Sequence, residues 1–146
     1  MSQHRARVAW RRATPDFAYD TYDRTHTVGF AGGQELLGSA APDYKGDAAK
    51  ANPEELLVAA LASCHMLTFL AIAARGRLVV DGYEDDAEGT LGKNAAGKLA
   101  VTKVVLRPRV TFAGDAPTPE KLRELHDKAH HNCFIANSVA CEVVVE

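Results

Sequence analysis

Three cysteines, Cys64, Cys133 and Cys141, and six histidines carry most of the reactive chemistry in this sequence. Cys133 follows His130 and His131 at the end of a helical segment, where hydrogen bonds and positive charge are within reach of a thiolate. Cys64, followed directly by His65, lies among apolar residues, where a free cysteine commonly serves as a small core hydrophobe. Cys141 opens the alternating run CEVVVE, and a structural role is the default there. One functional pair of thiols, Cys64 with Cys133, is the most that these residues suggest. His130 and His131 also suit the negative end of a helix dipole, so His65 is the histidine that most invites a test.

Two other chemistries draw on the same residues. Cys64, His65, His130, His131 and Cys133 are enough soft ligands for tetrahedral zinc, although neighbours on a helix point about 100° apart and cannot easily share one ion. A non-catalytic protein could instead hold an apolar small molecule between Phe17, Tyr19, Tyr22, Phe69 and Phe134, with the thiols incidental. Nucleotide chemistry is not supported. There is no glycine-rich dinucleotide fingerprint, phosphate-binding loop, zinc-protease helix or CxxC pair. A net charge of -2 and a pI near 6.3 argue against nucleic acid as the partner, and Arg5, Arg7, Arg11 and Arg12 read as the solvated side of an edge strand. The opening MSQHRARVAW has no apolar leader, so a cytoplasmic protein with reduced thiols is expected. No bound cofactor or metal and no membrane are expected: the apolar run from Leu56 to Ala74 carries Ser63, Cys64, His65 and Thr68 and reads as a buried helix.

The elements that must position these residues follow from pattern. With 47% hydrophobic and 25% charged residues, the 146-residue chain predicts a single folded domain over 1–146. RARVAW, FAYDTYDRTHTVGF and AGGQELLGS read as an antiparallel meander turning at Gly32-Gly33, followed by a polar loop from Pro42 to Ala51. Asn52 then caps a helix from Pro53 to Arg75-Gly76, with Glu54 and Glu55 at its positive end. That helix is apolar on nearly every face and should be covered on most sides by sheet, by other helices or by a second subunit. Leu78 to Phe112 reads as strands with a turn at Asn94 to Gly97. Thr118-Pro119 starts a second helix running to His130-His131-Asn132, and Cys141 to Val145 is a last strand. The order gives an α+β fold.

The segment NPEELLVAALASC, followed much later by the histidine-flanked Cys133, resembles the OsmC/Ohr family of thiol peroxidases along essentially the whole chain. The resemblance implies an OsmC-like fold: N-terminal meander, long central helix, second β-hairpin, second helix and final strand, forming an intertwined homodimer. It implies reduction of organic hydroperoxides with a dithiol reductant of lipoyl or thioredoxin type. Cys64 would be the peroxidatic cysteine, Cys133 the resolving one, Glu54 the assisting carboxylate and Arg24 in YDRTH the assisting arginine, with Arg12 second. Many members read Cys-Pro where this chain reads Cys133-Phe134. An ordinary thiol with a pKa of about 8.5 is mostly protonated at neutral pH, so a cation beside Cys64 is expected. Glu54 lies ten residues before Cys64 on one helix, about 15 Å along its axis, so a shared site would take Glu54 from a second copy.

Overall fold

The computed structural model describes residues 1–146. Backbone contacts divide them into two compact units, Met1–Leu56 and Leu57–Glu146.

The first unit is an antiparallel sheet of β1 (Ala6–Ala9), β2 (His26–Phe30) and β3 (Glu35–Gly38), in that order. The β2–β3 hairpin closes at the expected glycines: the Gly33 N–H donates to the Phe30 carbonyl at 3.0 Å with Gly33 at φ 90°, a conformation other residues resist. Residues 17–25 do not extend the meander as expected. Asp16 and Asp23 accept from Thr21 and Thr25, and this local bonding competes with a strand ladder. The aromatic residues there cluster instead, Phe17 against Tyr22 at 5.1 Å and Trp10 against Phe17 at 5.7 Å. Along the 42–51 loop, a Cβ on Gly46 would fall 1.6 Å from the Ala40 carbonyl oxygen, so only glycine fits. Val28 is the sole buried hydrophobic residue of the unit, beside buried Arg24, Ser39 and Asn52, whereas Val8 and Phe17 are each 67% exposed. This sheet has almost no apolar core of its own.

Helix α1 (Pro53–Arg75) has the expected bounds. The Asn52 carboxamide oxygen accepts from the Glu55 N–H at 2.9 Å and its NH2 donates to the Glu55 carboxylate at 2.8 Å, a reciprocal cap. At the far end the left-handed residue is Arg77 rather than Gly76, and the Leu78 N–H closes back on the Ala73 carbonyl at 3.0 Å. By length and composition alone α1 could cross a membrane. Only one of its faces is fully covered, the stripe Leu61, His65, Phe69 and Ala73, while Ala59, Ser63, Leu67 and Ala71 face outward. The expectation of cover on most sides is not met within one chain.

The rest of the second unit supplies two cores. Strands β4 (Val80–Asp85) and β7 (Pro108–Phe112) pair antiparallel, and β5 (Glu88–Lys93) pairs with β6 (Leu99–Leu106), so the predicted second hairpin is nested inside a further strand pair. Helix α2 (Pro119–Asn132) is capped by the Thr118 hydroxyl, which accepts from the Lys121 N–H at 3.2 Å. Phe69 and Ala73 of α1 pack on Leu125 and Ala129 of α2, with β4 and β7 residues around them. Leu61 packs on Val104 and Leu106 in a second cluster that also takes Ile135, Ala136, Val143 and Val145. The last strand, β8 (Glu142–Val145), joins β6 in parallel, Lys103 opposite Glu142 through Leu106 opposite Val145.

Candidate active site

The expected site residues fall into two groups. In the first unit, Arg24 and Glu54 line one cavity of about 460 Å³, with Trp10, Phe17, Tyr22 and Tyr44 on its apolar walls. Arg24 is 9% exposed and fixed by its own neighbourhood: its guanidinium donates to the Tyr22 and Tyr19 carbonyls, each at 2.6 Å, and stacks over the Tyr22 ring at 3.7 Å. Cation–π contact and two charge-assisted hydrogen bonds hold the planar fork in one orientation. Glu54 is half-buried, and its Oε2 is shielded from solvent without a hydrogen-bond partner. Arg12, the second candidate arginine, instead donates to the Thr14 carbonyl at 2.8 Å at the exposed surface. Of the proposed apolar-ligand residues, Phe17 and Tyr22 line this cavity, Phe69 is core with no exposure, and Tyr19 and Phe134 are 67% and 82% exposed.

In the second unit the two thiols meet. Cys64 projects from the middle of α1, Cys133 is the C-cap residue of α2, and all three cysteines are free. Burial pushes the Cys64 pKa up. The Ile135 amide, the Cys133 thiol and the Phe134 amide outweigh it and leave Cys64 below the ordinary thiol value, with the Thr68 hydroxyl, which donates to the Cys64 carbonyl at 2.8 Å, acting in the same direction. Cys133 moves the other way, raised by burial and by its hydrogen bond to Cys64, although the Ala136 amide also donates to its sulfur at 3.4 Å. One sulfur is thus disposed toward thiolate and the other toward thiol. Within one chain the groups that lower the Cys64 pKa are led by backbone amides. They are aimed by a short turn in which the Asn137 N–H returns to the Cys133 carbonyl at 3.1 Å while Ile135 and Ala136 plug into the second core. Cys141, in contrast, packs at the edge of that core.

His65 points away from Cys64. Its Nε2 lies 3.0 Å from Nδ1 of His126, and the rings stack with centroids 5.3 Å apart and planes 7° apart. His126 in turn stacks on Phe69 at 4.4 Å. His65 is 1% exposed, and its imidazole is pushed down to about 4, first by burial and then by the adjacent His126 and His130 rings. This pair escaped the sequence reading, where His126 carried no motif. The spacing His126, His130, Cys133 along one face of α2 was the available signal. His130 and His131 occupy the last turn of α2, as the dipole argument anticipated. No group of three or more His, Cys, Asp or Glu side chains converges on a point that could hold a metal ion, so the zinc arrangement drawn from Cys64, His65, His130, His131 and Cys133 does not form.

Comparison with known proteins bears on the fold and the family. The chain is 51% identical to an OsmC-like protein of unknown function from Vibrio cholerae, with a TM-score of 0.94 over 100% of this chain and 99% of that one. Organic hydroperoxide resistance proteins from Elizabethkingia anophelis and Legionella pneumophila share the fold at TM-scores of 0.74 and 18% identity, over 99% and 100% of this chain and 93% and 95% of theirs. The Bacillus subtilis protein YmaD is 27% identical over 97 residues, 65% of this chain and 64% of YmaD. The chain therefore spans just under two thirds of that relative's length. The family model for OsmC-like proteins matches residues 46–146, which include Glu54, both meeting thiols and the amide-bearing turn, and the chain belongs to the OsmC-like protein family.

Proposed function

We propose that the protein is a cysteine-based, thiol-dependent peroxidase that reduces organic hydroperoxides. The observation that carries this reading is the Cys64–Cys133 contact, in which hydrogen bonds lower the pKa of one thiol and burial raises that of the other. The Cys64 thiolate attacks the terminal peroxide oxygen. An S–O bond forms, the O–O bond breaks, and the departing alkoxide takes a proton to leave as the alcohol. Cys133 then attacks the sulfenic sulfur, its thiol proton and the hydroxyl leaving as water, and a disulfide remains. A dithiol reductant of lipoyl or thioredoxin type, acting in the cytoplasm, exchanges with that disulfide and restores both thiols.

The working unit in this reading is a homodimer with shared sites. The first unit leaves Val8, Phe17 and Leu37 exposed, and α1 presents the stripe Ala59, Ser63, Leu67 and Ala71 to solvent, which is apolar surface suited to a second copy. Arg24 and Glu54 share one cavity, and the partner subunit's Arg24 and Glu54 would orient the peroxide at Cys64 while the aromatic walls take its organic group.

One equivalent of cumene hydroperoxide should consume two thiols per chain, and peptide mapping should recover a Cys64–Cys133 disulfide. Unchanged thiols, or a Cys64–Cys141 link, would overturn the mechanism. A non-catalytic protein that only holds apolar molecules would bind the corresponding alcohol and leave every thiol free.

A further inference from the structure

Cys64 and Cys133 stand on different helices, so their approach depends on what fixes α1 against α2. Most of that contact is apolar: Phe69 and Ala73 on one side, Leu125 and Ala129 on the other. Apolar packing stabilises without specifying register sharply, because it has little directional preference. Apart from the thiol pair itself, the side-chain hydrogen bond between the helices is the 3.0 Å contact from His65 Nε2 to His126 Nδ1. It is placed to matter. His65 directly follows Cys64, and His126 lies two turns before Cys133 on the face of α2 that turns inward. The rings are parallel within 7°, and Phe69 closes the stack on His126 at 4.4 Å. Both residues are buried, at 1% and 9% exposure, so no solvent competes for the bond.

We propose that the His65–His126 pair is a positioning clamp that sets how closely the Cys133 sulfur approaches Cys64. The clamp rests on the thiol-pair reading above and adds the part that tunes it. A hydrogen bond between two imidazoles requires one ring to donate and the other to accept, so the pair holds only while the rings do not both carry two protons. The depressed imidazole of His65 keeps it so at neutral pH. Neither histidine touches the reacting atoms.

The test compares the wild-type protein with H65F/H126F, which keeps two rings face to face and removes both polar partners together, so that neither imidazole is left buried opposite a group that cannot pair with it. The first readout needs no peroxide: the alkylation rate of Cys64 by iodoacetamide as a function of pH. The clamp holds the Cys133 donor on Cys64, so the double variant should titrate about half a unit higher. The second is the equilibrium of the Cys64–Cys133 disulfide with two glutathione thiols, which yields the dithiol and glutathione disulfide. It should shift about tenfold toward the dithiol, since misplacement by a fraction of an ångström costs that much in effective concentration. H65Q/H126N keeps a directional hydrogen bond and should stay within about threefold of wild type. A double phenylalanine variant with wild-type midpoint and equilibrium overturns the clamp and makes the pair simple packing. Should that variant fail to fold, a folded H65Q/H126N with the full tenfold loss overturns it equally, and wild-type values there support it. If the wild-type protein forms no Cys64–Cys133 disulfide at any glutathione ratio, the peroxidase mechanism falls, and the Cys64 midpoint still decides the clamp.

Discussion

Acid should loosen this fold, because His65 is buried in neutral form. Its imidazole is pushed down to about 4 by burial and by His126 and His130, from an ordinary value of 6.5. The unfolded chain therefore takes up a proton first. Stability from this group is complete above the unfolded value and is lost as pH falls toward the folded one. With about 1.4 kcal/mol for each unit of difference, the loss reaches about 2 kcal/mol by pH 5 and about 3 kcal/mol by pH 4. His126 is also lowered, by burial, against the opposing charges of Asp127 and Asp85, and it adds in the same direction. Asp23, held down by the Thr25 amide, and Asp47, held down by Lys50, titrate beneath this window and do not produce the slope. Urea unfolding at several pH values between 7.5 and 5 measures it, with the denaturant slope checked for constancy. H65Q removes the titration while keeping a polar group opposite His126, and should flatten the curve by the His65 share. A stability that is level between pH 7 and pH 5, or an H65Q protein with the full wild-type slope, would refute the burial argument.

Replacing Phe134 by proline deletes the amide that donates to Cys64, and should raise the Cys64 alkylation midpoint by about half a unit or more, whereas F134A keeps the amide and should leave it in place. N52A removes both halves of the reciprocal cap on α1 and should cost about 1 kcal/mol in chemical denaturation, most of it recovered by N52D. G46A drives a methyl group into the Ala40 carbonyl and should lower stability by more than about 1 kcal/mol; an unchanged melting temperature would contradict the loop geometry. Mixed dimers of E54A and C64S subunits, each inactive alone, should regain peroxidase turnover if Glu54 acts across the interface, and verified heterodimers that stay silent would confine Glu54 to the helix start.

Local signals read true where they were complete within a few residues. Asn52-Pro53-Glu54-Glu55 set the start of α1 at the observed residue, as Thr118-Pro119 did for α2, because a cap is a short-range bond that its own sequence satisfies. Gly32-Gly33 fixed a hairpin for the same reason. The thiol pair was legible as a pair, Cys64 with Cys133, but the amides that lower the Cys64 pKa were not. Amides carry no residue identity, and the ones that serve Cys64 are aimed by Ile135 and Ala136 entering a core that pattern alone does not locate. The His65–His126 contact escaped for a related reason, since its partners are far apart in sequence and joined only by helix packing. Residues 17–25 misled in the opposite way: β-prone aromatics promised a strand, and aspartates bonding to their neighbours kept the backbone from one.

The parallel pairing of β6 with β8 has a kinetic side. An antiparallel hairpin closes through its own short turn, but Lys103–Leu106 can meet Glu142–Val145 only after β7 and α2 have been looped between them. Such a closure forfeits chain entropy before its contacts repay it, and it belongs among the slow steps of folding. The turn from Cys133 to Ala136 lies inside that loop, and it carries the Phe134 and Ile135 amides that lower the Cys64 pKa. During folding, then, Cys64 waits as an ordinary thiol. Its lowered pKa arrives with this long-range closure, and in the proposed peroxidase that order spares a maturing chain oxidation at Cys64 before Cys133 is in place to resolve the product.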